Sequence, residues 1–357
     1  MQFDSENKSP RFDPSSIDVE KKSMSISSLI DMLQNDMIDL SPAFQRKENL
    51  WKADRQSQLI ESLMIKLPLP SMYFEYDMQR KKYIVIDGLQ RLCTIKNFAV
   101  TKELALRNLE FLSDEYDGVR YDSLSFNDRI ELGLQEITVN ILKGTTPDAA
   151  KYAIFKRINS SATTLTNQEI RNALYSGPGL LMLTELAANP TFASLGFPTS
   201  RMDDREAVLR FMAFKIHGSE GYSGRMDSFL TNTLLELNDM PESKLDELKA
   251  AFRLGTDRSV ALLGAEAIRL PGNKKHRPSK AIFDTLAVGL SELSNDDYRH
   301  LMQDPDRFKD GFHSMLDNDK RFLEAVGNRS DRQFAARYRY SEFRALCTKT
   351  INDVIKN

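Results

Sequence analysis

A carboxylate, an amide and a guanidinium, Asp87, Gln90 and Arg91, lie within five residues of one another. They follow an apolar, β-branched run that ends at an Asp-Gly turn, and a helix-compatible run comes next. The first N–H groups of a helix lack partners and the helix dipole is positive there, which favours phosphate. Arg91 can add a bidentate phosphate contact, and Asp87 can hold a metal ion or a water molecule. An ordinary strand–turn–helix corner with a surface arginine explains so short a stretch equally well.

Two further segments favour a functional site over an ordinary strand–turn–helix corner. The first is Leu40–Arg46, with the sequence LSPAFQR, followed by Trp51. The second is Phe155–Asn159, with the sequence FKRIN, followed by Leu165, Glu169, Arg171 and Asn172. In this order the three segments resemble the DUF262 family, the ParB/sulfiredoxin-like domain of GmrSD-type restriction systems and related phage-defence proteins. The resemblance is strong over roughly residues 25–175 and weaker through residues 277–283 and the C-terminal helices.

The resemblance implies one pocket for a nucleoside triphosphate or a nucleic-acid phosphate. Asp87, Gln90 and Arg91 would be its catalytic residues, with Asp87 orienting a water molecule or Mg²⁺. Gly88 would let the phosphate approach the main chain. The chain departs from the family at Leu89, where Gln is common. Leucine cannot supply an amide, so either hydrolysis is weakened while binding persists, or Leu89 points into the core and stabilises the corner.

The other two segments would supply the remaining phosphate-binding residues of this pocket. Arg46 would neutralise phosphate charge together with Arg91, and Gln45 would bind oxygen atoms through hydrogen bonds. Arg157 and Asn159 would complete the wall from the opposite side. A second interpretation stays open for this last pair, because residues at the end of a helix can simply cap its carbonyl groups.

Length and composition set limits on the class of protein. A chain of 357 residues exceeds the size at which a single core usually stops growing, so two domains are expected. No apolar run approaches the ~20 residues that span a bilayer, and the polar N-terminus lacks a signal-peptide core, so we expect a cytoplasmic protein without a membrane partner. Cys93 and Cys347 are predicted to be buried thiols, and no Cys/His spacing suggests zinc.

The pattern along the chain predicts a flexible arm over residues 1–24, an α+β domain over 25–177 and an all-α helical domain over 178–357. The family resemblance implies a ParB/sulfiredoxin-like fold for the α+β domain. The predicted strands cover residues 38–40, 72–76, 83–86 and 136–142. Thr146-Pro147 predicts the start of a helix after the last strand. Thr166-Asn167-Gln168-Glu169 has the pattern of a capping box, which gives Glu169 a structural rather than a catalytic role.

A local charge excess marks the C-terminal region. Residues 320–344 contain seven basic residues against three acids, although the formal net charge of the whole chain is −2. Arg332, Arg337 and Arg339 are the predicted nucleic-acid contacts of this patch. A solvated helix face and a protein-docking surface are the alternatives.

These observations predict a prokaryotic anti-phage defence protein whose ParB-like domain binds a nucleoside triphosphate and, depending on Leu89, hydrolyses it with Mg²⁺. The helical domain would contact DNA or a separately encoded effector protein. The main alternative is a non-catalytic DNA-binding or sensor subunit, and a second is a Mg²⁺-dependent DNA nickase. No HNH nuclease pattern surrounds His276 or His313, and Arg210 and His217 lie on an apolar helix that does not suggest a ribonuclease.

Overall fold

The computed structural model describes residues 13–40, 51–78, 80–158, 166–271, 277–327 and 329–356. The chain divides into two compact units between residues 165 and 166. The N-terminal unit combines a mixed sheet with helices, and the second unit is largely helical. This order confirms the predicted fold class. The division lies before the predicted boundary at residue 177, so the helix that carries Glu169 belongs to the helical unit.

The sheet of the N-terminal unit contains five strands within the described residues, in the order β1-β5-β3-β4-β2. These strands are β1 (Val19–Ser25), β2 (Ile38–Asp39), β3 (Met72–Asp77), β4 (Lys82–Asp87) and β5 (Glu136–Leu142). Neighbours β1–β5 and β3–β4 are antiparallel, whereas β3–β5 and β2–β4 are parallel. The sequence predicted β3 and β4 as strands on either side of a polar turn, and β5 from its apolar alternation, and the structure confirms all three.

Strand β1 corrects the end of the predicted flexible arm over residues 1–24, whose first twelve residues lie outside the described part of the chain. It pairs with β5 along its whole length, from Val19 opposite Leu142 to Ser25 opposite Glu136. Most of its side chains are exposed. An edge strand that buries little has no apolar alternation to reveal it, and its stability comes from hydrogen bonds to a strand more than a hundred residues away.

Helices cover the sheet and complete the core of the N-terminal unit. They are α1 (Ile26–Gln34), α2 (Ala53–Met64), α3 (Leu89–Ile95), α4 (Ser113–Tyr116), α5 (Phe126–Leu134) and α6 (Asp148–Ile158), with a π-helical turn over Lys96–Val100 and 3₁₀ turns over Pro14–Ser16 and Tyr121–Ser123. Ser25 caps α1 by accepting the N–H of Ser28. The buried face of α1 packs into one core with Phe74 and Val85 of the sheet.

The second unit is built from helices over the described residues. They are α7 (Asn167–Leu174), α8 (Pro178–Ala187), α9 (Pro190–Ala193), α10 (Asp203–His217), α11 (Met226–Asp239), α12 (Glu242–Leu263), α13 (Lys280–Glu292), α14 (Asn295–Leu301), α15 (Pro305–Asn318), α16 (Lys320–Val326) and α17 (Gln333–Lys356), with a 3₁₀ turn over Ala265–Ile268. Within the described part of the chain, none of the helices has both the length and the apolar character needed to cross a membrane.

A buried carboxylate joins three helices of the second unit. Asp284 of α13 is fully buried and accepts hydrogen bonds from Arg210 of α10 at 2.8 Å and from Arg339 of α17 at 3.1 Å. The Tyr340 hydroxyl donates to the same carboxylate at 3.2 Å. Removing one member of such a set would leave a buried charge without its partner. This contact therefore fixes how α10, α13 and α17 meet.

A second buried carboxylate organises a loop of the N-terminal unit. Glu61 of α2 is 3% exposed and accepts the main-chain N–H groups of Glu110, Phe111 and Leu112 at 3.1, 2.7 and 2.9 Å. Burial by itself would raise the pKa of Glu61, but the three donors outweigh it and hold the pKa below its ordinary value of 4.5. The charged form of Glu61 therefore stabilises the folded unit.

We expect Glu61→Gln to lower the free energy of unfolding by about 1.5–3 kcal/mol at neutral pH, because charged acceptors make the stronger hydrogen bonds. The wild-type advantage is complete above the ordinary carboxyl pKa and disappears as the pH falls through the lower folded-state value. Urea unfolding at several pH values checks this. Glu110→Gln, on the exposed side chain of the same loop, is the control, and a difference that persists at low pH would contradict the expectation.

Candidate functional site

The corner between β4 and α3 has the predicted strand–turn–helix form. Strand β4 ends at Asp87, and Gly88 precedes the first residue of α3. Gly88 has a φ of +105°, a region that side-chain-bearing residues avoid. A Cβ atom at this position would also lie 2.8 Å from Cγ of Met72. Glycine is therefore required at the turn by the backbone and by the packing against β3.

Arg91 lies on the first turn of α3 and points into the protein. Its Nη2 donates to Asp87 Oδ2 at 2.9 Å and to the Ser71 carbonyl at 3.2 Å, and its Nη1 donates to the Pro70 carbonyl. Only 11% of the Arg91 side chain is exposed, against 38% of the Asp87 side chain. Burial lowers the pKa of Arg91, and the neighbouring Asp87 carboxylate opposes that shift.

This geometry corrects the expectation that Arg91 is a surface arginine. Its guanidinium donates to three groups of the protein, so its first role is to join the loop before β3 to the end of β4. Asp87 is the partner that remains partly open to solvent. The carboxylate is thus held in a fixed orientation by a buried arginine, which suits a group that orients water or a cation.

Gln90 connects the corner to the start of α2. Its Oε1 accepts the main-chain N–H of Trp51 at 3.2 Å. The carbonyl of Trp51 accepts from Gln56 Nε2 at 2.8 Å, and Gln56 Oε1 accepts from Asn97 Nδ2 at 3.0 Å. Trp51 is therefore held from both sides of its main chain. Sequence patterns did not indicate Gln56 or Asn97. These two residues are 41 positions apart in the chain, so the hydrogen bond between them leaves no local signal in the sequence.

Leu89 follows the second of its two predicted interpretations. It is 8% exposed and belongs to the core that contains Met72 and Phe98. Leu89 therefore stabilises the corner from within. A glutamine in this position would have to place its amide in apolar surroundings, which is unfavourable without a partner.

The other predicted pocket residues are not brought to this corner by any described contact. Gln45, Arg46 and Asn159 lie outside the described residues. Arg157 lies exposed on the last turn of α6, and within the described part of the chain it contacts neither Asp87 nor Arg91. Their membership of one pocket stays a prediction.

The donor set for a metal ion at the corner is small. Among the described residues, no group of three or more His, Cys, Asp and Glu side chains lies close enough to hold a metal ion. Asp87 is the predicted ligand, and its Oδ2 is bonded to Arg91. Mg²⁺ commonly binds one or two carboxylates and completes its shell with waters and substrate phosphates. One aspartate fits a phosphate-bridged ion of that kind and does not fit an all-protein metal site.

The later residues of the third sequence segment, Glu169 and Arg171, belong to the helical unit. Thr166 and Glu169 form the predicted capping box at the start of α7, which confirms the structural role of Glu169. Arg171 is 1% exposed and pairs with Asp227 at 2.8 Å. These motif residues hold helices together and are closed to a ligand.

The predicted basic patch is divided by burial. Arg332 and Arg337 are exposed, and Arg337 pairs with Glu220 at 3.1 Å. Arg339 has no exposed surface because it is bonded to Asp284. Its assignment as a nucleic-acid contact is therefore wrong. Periodicity in a mixed-charge helix does not reveal which arginine faces a buried acid.

A cavity of about 700 Å³ opens at the other end of the same strands. It lies where β3 leads into the hairpin and where β5 ends, and its lining includes Glu75, Tyr83 and Lys151. Lys151 is buried and ion-paired with Glu75. The cavity does not include Asp87 or Arg91, so size alone does not identify the predicted phosphate site.

The mixed sheet, the Asp87–Arg91 corner and the three ordered segments define the class of the N-terminal region. Residues 26–176 match the family model of the GmrSD restriction endonuclease N-terminal domain, which is the DUF262 domain of GmrSD-type proteins. The DUF262 resemblance is thereby confirmed over those residues, which make up less than half of the chain. A comparison with curated proteins finds no match.

We expect Arg91→Ala to destabilise the N-terminal unit by about 2–3 kcal/mol, because it leaves two carbonyl groups and a carboxylate without their charged donor. The change in urea midpoint measures this. Arg157→Ala removes an exposed arginine of the same unit and should change stability by less than about 0.5 kcal/mol. Equal midpoints for the two variants would show that the Arg91 contacts contribute nothing to the fold.

Proposed function

We propose that the N-terminal unit binds a nucleoside triphosphate at the Asp87 corner and hydrolyses it there, as part of a cytoplasmic prokaryotic phage-defence system. The observation that carries the proposal is the fixed, partly exposed carboxylate of Asp87 beside Gly88 and the buried Arg91. The match to a restriction-endonuclease domain over residues 26–176 supports the defence setting. The ParB/sulfiredoxin-like description of this unit belongs to the same proposal.

Asp87 is the residue that we propose orients the attacking water. Arg91 holds Oδ2, so the carboxylate cannot rotate freely, and the partly exposed side chain leaves room for a ligand. Positioned acid–base groups of this kind contribute about 10²–10⁴-fold to a rate. Mg²⁺ bound by Asp87 and the nucleotide would neutralise charge on the phosphates.

The roles of the neighbouring residues differ from those implied by the family resemblance. Gly88 supplies the positive-φ turn between β4 and α3, and we propose that the phosphate meets the main chain at this turn. Gln90 and Arg91 act by holding Trp51 and Asp87. We propose that charge neutralisation falls instead to Arg46 and Arg157, with hydrogen bonds from Gln45 and Asn159.

We expect Asp87→Asn to lower steady-state phosphate release by about 100-fold or more while nucleotide binding is retained. The fold should persist, because Arg91 keeps its two carbonyl contacts. Phosphate release and calorimetric nucleotide titration with Mg²⁺ measure the two effects. Asp122→Asn, which removes an exposed acid paired with Lys102, is the matched control.

The outcomes separate this proposal from its rivals. Nucleotide binding without phosphate release would leave the non-catalytic sensor subunit, and no binding by the wild type would reject the nucleotide site altogether. A two-metal DNA nickase needs more carboxylates than Asp87, and the described residues offer no such cluster. Cleavage of DNA that disappears in Asp87→Asn would nevertheless favour the nickase.

For the helical unit we propose contact with DNA or with a separate effector protein. Arg332 and Arg337 remain as the exposed arginines of the predicted patch. Each phosphate contact contributes about 0.9 to the slope of log affinity against log salt, so Arg332→Ala with Arg337→Ala should flatten that slope by up to about 1.8. Duplex DNA titrated at several salt concentrations measures it. Arg299→Ala serves as the control, and an unchanged slope in the double variant would favour the protein partner.

A further inference from the structure

Arg55 is an exposed arginine held beside the corner by an aromatic ring. The centre of its guanidinium lies 4.3 Å from the centroid of the Trp51 ring. Trp51 in turn is bonded through its main chain to Gln90, the residue before Arg91. The guanidinium is thus connected to the Asp87 corner through one residue whose main chain is fixed on both sides.

The charge of Arg55 is not favoured by its place in the helix. It lies in the first turn of α2, where the helix dipole disfavours a positive charge. Its neighbour Asp54 pairs with Arg107 at 2.7 Å, and no described carboxylate pairs with Arg55. The Trp51 ring is the described partner of this charge, and an arginine held by a ring rather than by a carboxylate keeps its full positive charge.

Stacking on a ring leaves the donors of a guanidinium available. A guanidinium that lies flat on a π system keeps its N–H bonds pointing outwards in its own plane. Those in-plane donors match two phosphate oxygens at once. Lysine in the same place would keep the charge without this planar fork.

We infer that Arg55 is a further phosphate-contacting residue, presented by Trp51, and that Gln56, Gln90 and Asn97 are positioning residues that act through Trp51. The inference rests on the proposed function because it assigns the ligand of that site a polyphosphate group. It goes beyond the sequence prediction, which did not include Arg55 among the phosphate-binding residues and gave Gln90 a catalytic role. The hydrogen bonds from Asn97 to the buried Gln56, and from Gln56 to the Trp51 carbonyl, supply the rigidity that such an arginine needs.

The test uses the full chain with inorganic tripolyphosphate and, separately, a nucleoside triphosphate. Trp51 is the single tryptophan, so its fluorescence reports on the position of Arg55. We expect tripolyphosphate to change the Trp51 fluorescence of the wild type when it binds. Arg55→Ala should weaken this binding by about tenfold or more and abolish the fluorescence change, and Arg55→Lys should be intermediate. Arg129→Ala, an arginine of α5 that also has no described carboxylate partner, should bind as the wild type does.

A second set of variants tests the positioning residues. Gln56→Leu should increase the quenching of Trp51 by acrylamide and weaken tripolyphosphate binding. If Gln56 acts only through Trp51 and Arg55, the double variant with Arg55→Ala should bind no more weakly than Arg55→Ala alone. Additive losses, or unchanged quenching in Gln56→Leu, would overturn the positioning role.

The two ligands distinguish failure of this inference from failure of the proposed function. Nucleotide and tripolyphosphate binding that are both unaffected by Arg55→Ala would overturn the inference and leave the nucleotide site standing. Binding of tripolyphosphate through Arg55 without binding of any nucleotide would reject the proposed function and support the inference. A wild-type protein that binds neither ligand would overturn both.

Discussion

The buried guanidinium of Arg91 is the contact on which the rest of the N-terminal corner depends. One side chain bonds the carbonyls of Pro70 and Ser71, which lead into β3, and the carboxylate of Asp87, which ends β4. A guanidinium removed from water is stable only when its donors are used, and here the main chain supplies most of the acceptors. Because Arg91 lies on the first turn of α3, the positions of two strands and a helix are coupled to one ion pair. The open side of Asp87 is a consequence of that coupling.

The helical unit follows the same physical rule with a different residue. Asp284 has no exposed surface, and two arginines and a tyrosine hydroxyl from neighbouring helices satisfy it. Such sets constrain helix packing more strongly than apolar contacts, since a shifted helix would leave a charge unpaired in the interior. This explains why the charge count over residues 320–344 overestimates the basic surface: part of that charge neutralises a buried acid.

Signals that are local in sequence predicted much of the fold. The strand before Asp87 was recognisable from its own β-branched residues and the Asp-Gly turn that follows. The capping box was recognisable because Thr166 and Glu169 lie only three positions apart. Strand β1 was missed because its partner β5 is distant and its own side chains are exposed. The burial of Arg91 was missed for a related reason, since its carbonyl partners lie about twenty residues earlier in the chain. The order of the three segments indicated the family, which the match over residues 26–176 confirms, and it located the corner. It did not show which residues of the corner hold others in place and which are open to a ligand.

The hydrogen bonds of each residue at the corner indicate which of these two roles it has. Arg91 donates hydrogen bonds to Ser71 and Asp87, and Gln90 accepts one from Trp51. Asp87, by contrast, is partly exposed, and Arg55 is exposed. A residue of the first kind can abolish activity when it is replaced without ever touching a ligand, because the groups it holds lose their orientation. Loss of function in an Arg91 or Gln90 variant is therefore not evidence of phosphate contact. The informative variants are those in which an exposed charge is removed and the buried contacts around it are left intact.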